Sequence, residues 1–206
     1  MKIIGIIPAH LNSKRFPKKI LYKIGNLPMI EHVRRRVVNS NIFEKVLVAS
    51  GDQEILNIVQ SNGGLTIRTL KTHENGTSRV AEALEDFDFT HVVIVQGDEP
   101  LIKKEHLIKV AQEIDKDPLI DAWNSVSELK DISDLESVNV VKASINHQGR
   151  IIYLFRKTPS VGIEVDQLKY IKKVQGLIAF RKEVLEEISL IPTSLPEKIE
   201  SIEQLK

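Results

Sequence analysis

Short runs of apolar, β-branched residues alternate with longer amphipathic segments through the first 117 residues of the chain. The first run covers residues 3–7, and similar runs recur at residues 45–49 and 91–95. Such runs are typical of strands buried on both faces, as in a parallel sheet covered by helices. The alternation therefore predicts an α/β fold with a mostly parallel sheet and helices on both faces.

Helix signals lie between these strands. Asp52 is expected to cap the second helix, and Thr77 or Ser78 the third, because short polar side chains satisfy the free N–H groups at a helix start. The helices are predicted over about residues 28–40, 53–62, 77–86 and 104–115, and a further strand over 65–70.

The pattern changes after Pro118. Strands are predicted there without long helices between them, and residues 146–149 suit a hairpin turn. The strands cover about residues 120–126, 138–145, 150–155 and 170–180, and two short helices follow at 182–189 and 196–206. We expect an α/β core at residues 1–117 and a strand-rich lobe at 118–206, joined in one structural unit, with the lobe serving subunit contact or substrate selection.

Composition excludes several classes of protein. The 29 basic and 28 acidic residues leave a net charge of +1 without a basic stripe, so nucleic acid is an unexpected partner. Cysteine is absent, which excludes disulfides and thiol catalysis, and the six histidines are too scattered for a zinc site. No apolar run reaches membrane-spanning length and no secretory signal is recognisable, so we expect a cytoplasmic protein without a membrane partner.

A basic loop follows the first strand. Its cations are Lys14, Arg15, Lys18 and Lys19. The loop lacks both the Rossmann and the P-loop glycine motifs. Cations next to exposed backbone N–H groups can still bind a triphosphate, and the carboxyl end of a central strand is where α/β proteins bind ligands. The alternative is a solvated surface turn.

Two further loops carry polar side chains. Residues 96–100 place Asp98 after a buried strand, where its carboxylate could hold Mg²⁺ or merely cap the next helix. Residues 73–79 place Gly76 and Arg79 at a helix start, which fits an anion contact or an ordinary capped helix. Because the three loops follow strands at one edge of the sheet, together they predict a nucleotide site with a metal.

Several motifs occur in an order and spacing that resemble the 3-deoxy-manno-octulosonate cytidylyltransferases, or CMP-Kdo synthetases. They are Ile7-Pro8-Ala9, Ser13 to Lys19, Pro28 to Val33, Asn75 to Arg79, Val95 to Pro100, Asn139 to Lys142 and Ile202 to Leu205. The resemblance implies a nucleotide-diphospho-sugar transferase-like fold and a homodimer. It also implies transfer of CMP from CTP to a 3-deoxy sugar acid, most simply Kdo, with release of pyrophosphate for lipopolysaccharide synthesis.

The resemblance also implies roles for individual residues. Arg15 and Lys19 would hold the triphosphate, and Asp98 would bind Mg²⁺, the expected cofactor. The nucleotide contacts would be Pro8, Ala9, His10, Asn75, Gly76, Ser78 and Arg79. The sugar contacts would be Gln96, Arg156, Gln175, Glu203 and Gln204. Residues 1–117 thus become a nucleotide-binding core, and residues 118–206 a sugar-selecting and dimerisation lobe.

The chain departs from the family pattern at three places. His10 stands where the family usually has Arg, and Gln175 where it has His. Family members also continue into a Gly-x-Asp-Thr-Pro-x-Asp motif with a second metal ligand, whereas this sequence ends at Lys206. The alternatives are a cytidylyltransferase for another acid sugar, such as 8-amino-Kdo or a nonulosonic acid, and a truncated, non-catalytic nucleotide-binding homologue.

Overall fold

The computed structural model describes residues 1–13 and 16–206, and these residues form two compact units. The first unit consists of Met1–Trp123 together with Gly176–Leu190. The second consists of Asn124–Gln175 together with Ile191–Lys206. The chain therefore leaves the first unit, builds most of the second, and returns to the first for fifteen residues.

The first part of the chain alternates strands and helices as the sequence predicts. The strands are β1 (Ile3–Pro8), β2 (Lys23–Ile24), β3 (Leu27–Pro28), β4 (Lys45–Ser50), β5 (Leu65–Arg68) and β6 (His91–Val95). The helices are α1 (Met29–Val38), α2 (Gln53–Ser61), α3 (Gly76–Leu84) and α4 (Lys104–Lys116), with a 3₁₀ helix at Lys19–Leu21.

The remaining elements are shorter, apart from one long strand. The strands are β7 (Ala122–Glu128), β8 (Lys142–Ile145), β9 (Ile151–Phe155) and β10 (Ile171–Arg181). The helices are α5 (Ser133–Glu136), α6 (Glu164–Tyr170), α7 (Lys182–Leu190) and α8 (Leu195–Glu200), with a 3₁₀ helix at Glu203–Leu205. None of the helices in the described part of the chain is long and apolar enough to cross a membrane.

In the first unit, the strands β5, β4, β1 and β6 lie side by side in that order and are parallel. The end of β10 pairs antiparallel with β6, with Leu177 opposite Val95. The carboxyl ends of β1, β5 and β6 therefore meet at one edge of the sheet, as predicted.

Helices cover both faces of this sheet, which confirms the predicted fold class. Ile3 and Ile7 of β1 pack in one cluster with residues of α1, α2 and α4, whereas Ile4 and Ile6 pack in the other with residues of α3 and α7. Every residue of β1 is buried. Since each buried isoleucine contributes about 1.5–3 kcal/mol, this strand is a main source of stability in the unit.

In the second unit, β8 pairs antiparallel with β9 and with the start of β10. The hairpin turn predicted at residues 146–149 is present: Asn146 Oδ1 accepts hydrogen bonds from the backbone N–H groups of Gln148 and Arg150. Two small apolar clusters stabilise the unit, one around Phe155 and Ile171 and the other around Leu154 and Ile202.

Three local predictions are wrong. Asn75, rather than Thr77 or Ser78, caps α3, because its Oδ1 accepts from Ser78 N at 2.9 Å. The strand predicted over residues 138–145 covers only Lys142–Ile145, and the helices α5 and α6 were not predicted. The helix predicted over residues 196–206 ends at Glu200, because Ser201 adopts a left-handed conformation with φ 51°.

Candidate active site

The three polar loops of the first unit meet at the carboxyl edge of its sheet. A Cβ at Gly97 would lie 3.1 Å from Pro8 O, and one at Gly76 would lie 3.2 Å from Pro8 Cγ and 3.3 Å from Gln96 Nε2. Glycine at both positions allows this close approach. Ala9 N also donates to Ala49 O of β4 at 2.9 Å, so Pro8 and Ala9 continue the sheet into the site.

Lys19 and Asp98 form an ion pair across this edge, between Lys19 Nζ and Asp98 Oδ2. Their side chains remain 33% and 43% exposed. The neighbouring Lys18 pairs instead with Glu54, at 2.7 Å. The two adjacent lysines therefore meet different carboxylates. Arg15, predicted to act together with Lys19, lies outside the described residues, as does Lys14.

Asp52 shapes the basic loop, which sequence reasoning missed. It occupies the N-cap position of α2 as predicted, but its side chain makes no capping hydrogen bond. Its Oδ2 instead accepts from Leu11 N at 2.9 Å. The carboxylate thus holds the backbone immediately after His10, whose side chain is exposed. No sequence signal separates this role from ordinary capping, because an aspartate just before a helix suits either one.

The loop of residues 73–79 is organised by a buried histidine. His73 contacts Ser78 Oγ through Nδ1 at 3.2 Å and Glu82 Oε2 through Nε2 at 2.5 Å. Glu82 Oε1 also accepts from Leu70 N at 2.7 Å. Burial lowers the pKa of His73 below its usual value. Burial alone would raise the pKa of Glu82, but the hydrogen bonds from Leu70 N and His73 lower it.

The side chain of Arg79 reaches from α3 to the residue that follows β5. Its Nη1 donates to Thr69 Oγ1 at 2.5 Å, and a Cβ at Gly51 would lie 3.5 Å from the same nitrogen. Burial lowers the pKa of the Arg79 guanidinium, although nearby Asp52 opposes this effect. The predicted nucleotide residues of this loop, Asn75, Gly76, Ser78 and Arg79, therefore belong to one hydrogen-bonded segment at the start of α3.

The loop of residues 96–100 is anchored to β10. Gln96 N donates to Gly176 O at 2.9 Å, and Gly176 N donates to Glu99 Oε1 at 3.2 Å. Glu99 therefore bonds the sheet, whereas the adjacent Asp98 points its carboxylate to Lys19. This separation of the two acidic side chains distinguishes a structural carboxylate from one available for chemistry.

The other predicted sugar residues lie in the second unit. Gln175 Nε2 donates to Ser127 Oγ at 2.7 Å, and Gln204 Nε2 lies 3.5 Å from Asn124 Oδ1. Glu203 begins the last 3₁₀ helix. Arg156 is different, because its guanidinium donates to the backbone carbonyls of residues 138, 200 and 201.

Comparison with known proteins identifies the family. A sequence model described as "Cytidylyltransferase" matches residues 4–206. The chain belongs to the cytidylyltransferase family. It is 32% identical to the 3-deoxy-manno-octulosonate cytidylyltransferase of Flavobacterium johnsoniae, over 100% of this chain and 85% of that protein. The enzyme of the same name from Escherichia coli is 31% identical over 100% of this chain and 82% of its own length.

Solved structures agree with this assignment. A CMP:2-keto-3-deoxy-manno-octonic acid synthetase complexed with CTP superimposes with a TM-score of 0.91 at 30% identity, over 100% of this chain and 84% of that one. A 4-diphosphocytidyl-2C-methyl-D-erythritol synthase from Anaerococcus prevotii gives a TM-score of 0.60 at 16% identity, covering 91% of this chain and 74% of that one, which shows the shared fold alone. The family resemblance and the nucleotidyltransferase class predicted from sequence are therefore confirmed.

Among the residues that the structure describes, Asp98 fits a metal ion that a substrate helps to bind. No group of three histidine, aspartate or glutamate side chains that could hold a metal occurs among residues 1–13 and 16–206. Mg²⁺, however, is commonly bound by one or two carboxylates together with substrate phosphates. The half-exposed carboxylate of Asp98 fits a Mg²⁺ ion of that kind, which the nucleotide would help to bind.

Proposed function

We propose that this cytidylyltransferase transfers CMP from CTP to 3-deoxy-manno-octulosonate, giving CMP-Kdo and pyrophosphate for lipopolysaccharide synthesis. The observation that carries the proposal is the meeting of Lys19 and Asp98 at the carboxyl edge of the sheet, beside Gly76 and Gly97. The names of the relatives that cover the whole chain support the choice of nucleotide and acceptor.

The reaction joins an oxygen of the acceptor to the α-phosphorus of CTP. The anomeric hydroxyl attacks the α-phosphorus and gives its proton to solvent, and the bond from that phosphorus to the bridging oxygen of pyrophosphate breaks. Little covalent chemistry is required of the protein, so its contribution is positioning and charge stabilisation. Lys19, with Arg15, would offset the charge that develops on pyrophosphate.

The nucleotide would be held by the segments around β1 and α3. Pro8, Ala9 and His10 follow β1, and Gly76 begins α3, where the positive end of the helix dipole favours an anion. Asn75, Ser78 and Arg79 are held in the hydrogen-bonded segment described above, which suits them to a fixed contact. When bound, Mg²⁺ on Asp98 would neutralise phosphate charge.

Candidate acceptor contacts occur in each unit. In the first unit, Gln96 is placed by its backbone bond to Gly176. In the second, Gln175, Glu203 and Gln204 offer amide and carboxylate groups that suit the hydroxyls of a sugar acid. Gln175 and Gln204 already bond Ser127 and Asn124, so their side chains have defined orientations.

We further propose a cytoplasmic homodimer that uses Mg²⁺. Exposed apolar side chains in the second unit favour subunit contact; they include Val161, Ile163 and Val165. The lack of cysteine in the sequence agrees with a reducing compartment.

The direct test is release of pyrophosphate from CTP and Mg²⁺ with Kdo, 8-amino-Kdo and a nonulosonic acid offered in parallel. We expect the largest kcat/KM with Kdo, and little release when ATP, GTP or UTP replaces CTP. Preference for another acid would change the assigned acceptor. No release with any of the acids would overturn the proposed function.

A further inference from the structure

Residues 96–99 form a tight turn directly after β6, with Gly97 and Asp98 at its centre. Glu99 N donates to Gln96 O at 3.1 Å, which is the hydrogen bond that closes a β-turn. Asp98 is therefore a turn residue. The direction of its side chain depends on how the two ends of the turn are held.

One residue of β10, Gly176, bonds both ends of this turn. Its carbonyl accepts from Gln96 N at 2.9 Å, and its N–H donates to Glu99 Oε1 at 3.2 Å. The first bond joins two backbone groups, so it does not depend on the side chain at position 96. The second bond requires an acceptor at the end of the Glu99 side chain. Glu99 thus fixes the second end of the turn through its carboxylate.

Glycine at position 176 makes room for this carboxylate. A Cβ at Gly176 would lie 2.6 Å from Glu99 Oε1, 2.8 Å from Glu99 Cγ and 3.0 Å from Gln96 Cβ. All three distances are well below the separation of about 3.5–4.0 Å at which non-bonded carbon atoms attract best. Any other side chain at this position would therefore displace Glu99 or move the turn.

The turn is also closely packed on the side of β1. A Cβ at Gly97 would lie 2.6 Å from Ile20 Cδ1 and 3.1 Å from Pro8 O. The backbone of the turn therefore has little freedom to shift, while the Asp98 side chain remains 43% exposed and pairs with Lys19. The turn presents one accessible carboxylate at the edge of the site from a backbone that is held on two sides.

We propose that Glu99 is a positioning residue for Asp98, because its bond to Gly176 N sets the direction of the carboxylate that would bind Mg²⁺ together with the phosphates of CTP. The inference rests on the proposed function for the metal and the nucleotide. Mg²⁺ requires near-ideal octahedral coordination, so a misdirected carboxylate would join the phosphate oxygens around it poorly. Glu99 follows Asp98 directly, and a change in its bond to β10 passes to Asp98 through one peptide unit.

Calorimetry of CTP binding without an acceptor tests the inference. The quantity measured is the Mg²⁺ factor, defined as the Kd for CTP in EDTA divided by the Kd in Mg²⁺. We expect Glu99→Ala to reduce this factor about tenfold, a change of about 1.4 kcal/mol, while the Kd in EDTA changes less than about twofold. Glu105→Ala is the matched control, because Glu105 is exposed in the first turn of α4. An unchanged Mg²⁺ factor in Glu99→Ala would overturn the inference.

The conservative variant Glu99→Gln separates positioning from direct contact with the metal. Glutamine keeps a carbonyl acceptor for Gly176 N at the same reach, but it lacks the negative charge. We expect Glu99→Gln to retain at least about half of the Mg²⁺ factor and of the wild-type kcat/KM. A loss equal to that of Glu99→Ala would show that the charge of Glu99 acts on the metal, and it would contradict positioning.

A double variant tests whether Glu99 and Gly176 act together. The new Cβ of Gly176→Ala would displace the Glu99 carboxylate, so the Mg²⁺ factor should fall about as far as in Glu99→Ala. Because Glu99→Ala removes the two atoms nearest to that Cβ, the double variant should lose no more than about twofold beyond either single variant. Losses that multiply would contradict the inference. If Gly176→Ala does not fold, the comparison of Glu99→Ala with Glu99→Gln decides.

Hydrogen exchange supplies a test that needs neither metal nor turnover. In Glu99→Ala we expect the amides of residues 97–102 to exchange at least about tenfold faster than in the wild type, because one of the two bonds from β10 is lost. Glu99→Gln should restore slow exchange, and the amides of β4 should stay unchanged in both variants. Unchanged exchange at 97–102 in Glu99→Ala would overturn the inference even if the wild-type enzyme failed to use CTP or Kdo, so the two failures remain distinct.

Discussion

Two pairs of cations, one pair in each unit, meet different kinds of partner. In the first unit, Lys18 and Lys19 meet carboxylates, and all four side chains are at least one-third exposed. In the second unit, Lys142 and Arg156 meet backbone carbonyls instead. An exposed ion pair contributes about 0–1 kcal/mol, so a ligand can exchange it at small cost. A buried ammonium that is bonded by carbonyls cannot change partners at small cost. We therefore separate cations that can bind a ligand from cations that stabilise the fold.

The largest effect expected from this contrast is on turnover. Lys19→Ala should lower kcat/KM by a factor of about 10²–10³, or about 3–4 kcal/mol, because it removes a preorganised charge from the leaving pyrophosphate. Lys18→Ala is the matched control, since Lys18 pairs with Glu54 instead of Asp98. Steady-state pyrophosphate release measures both. Equal losses in the two variants would show that the loop acts only through its total charge.

A second test addresses the structural cation. Lys142→Met keeps the apolar part of the side chain but removes the ammonium and leaves its carbonyl acceptors without that donor, so the free energy of unfolding should fall by about 2–3 kcal/mol. Urea denaturation followed by circular dichroism measures the loss. Lys169→Met, which removes an exposed pair with Asp166, should change stability by less than about 0.5 kcal/mol. A loss no larger than that of the control would contradict the structural role of Lys142.

A third test asks whether the Lys19 ammonium and a metal ion compete for the carboxylate of Asp98. The Lys19 ammonium occupies the carboxylate of Asp98 and opposes a second cation there, so Lys19→Ala should bind Mn²⁺ about three- to tenfold more tightly in the absence of CTP. Electron paramagnetic resonance counts free Mn²⁺ directly. Lys18→Ala should leave this affinity unchanged. Weaker binding by Lys19→Ala would mean that the ion pair does not compete with the metal.

The smallest effect concerns pH. The folded-state pKa of His73 is lowered, mainly by burial, so between that pKa and about 6.5 the unfolded chain binds more protons. Stability should therefore fall as pH drops from 7.5 to 5.5, a range above the titration of Glu82, whose pKa is lowered. Arg79 and Lys71 oppose protonation of His73, and Glu82 favours it.

His73→Gln should flatten this fall, because glutamine can still donate to Glu82 but does not titrate. The free energy of unfolding by urea, measured at both pH values, tests this. The exposed His147 of the hairpin turn provides the control His147→Gln, which should keep the slope of the wild type. If His73→Gln also keeps that slope, protonation of His73 does not limit stability in this range.

Sequence reasoning succeeded where one residue type leaves little choice. The apolar run of β1 has to be a buried strand, and the glycine of the 96–100 loop allows the backbone to approach Pro8. It failed where several neighbouring polar side chains could make the same hydrogen bond. Asn75, Thr77 and Ser78 are all good caps, and only the position of Ser78 N relative to Asn75 Oδ1 selects among them.

The candidate site was predictable to a similar extent. The order of strands places the three loops at one edge, but the pairing of adjacent cations does not follow from it. Nothing in the local sequence says that Lys19 meets Asp98 while Lys18 meets Glu54, since these partners are 79 and 36 residues away. Arg156 shows the same limit, because its carbonyl acceptors at residues 200 and 201 lie 44 and 45 residues further along.

The sequence by itself determined the parallel α/β core, the edge at which its loops meet, and the cytidylyltransferase family, because hydrophobic periodicity and motif spacing are local properties. Only the tertiary structure decided which cations remain accessible to a ligand and which are held by backbone carbonyls. Burial, and the acceptors that packing brings to each nitrogen, set that difference, and both depend on residues far apart in the chain. Lys19 and Lys142 carry the same charge, but one meets an exposed carboxylate and the other, which is buried, meets backbone carbonyls.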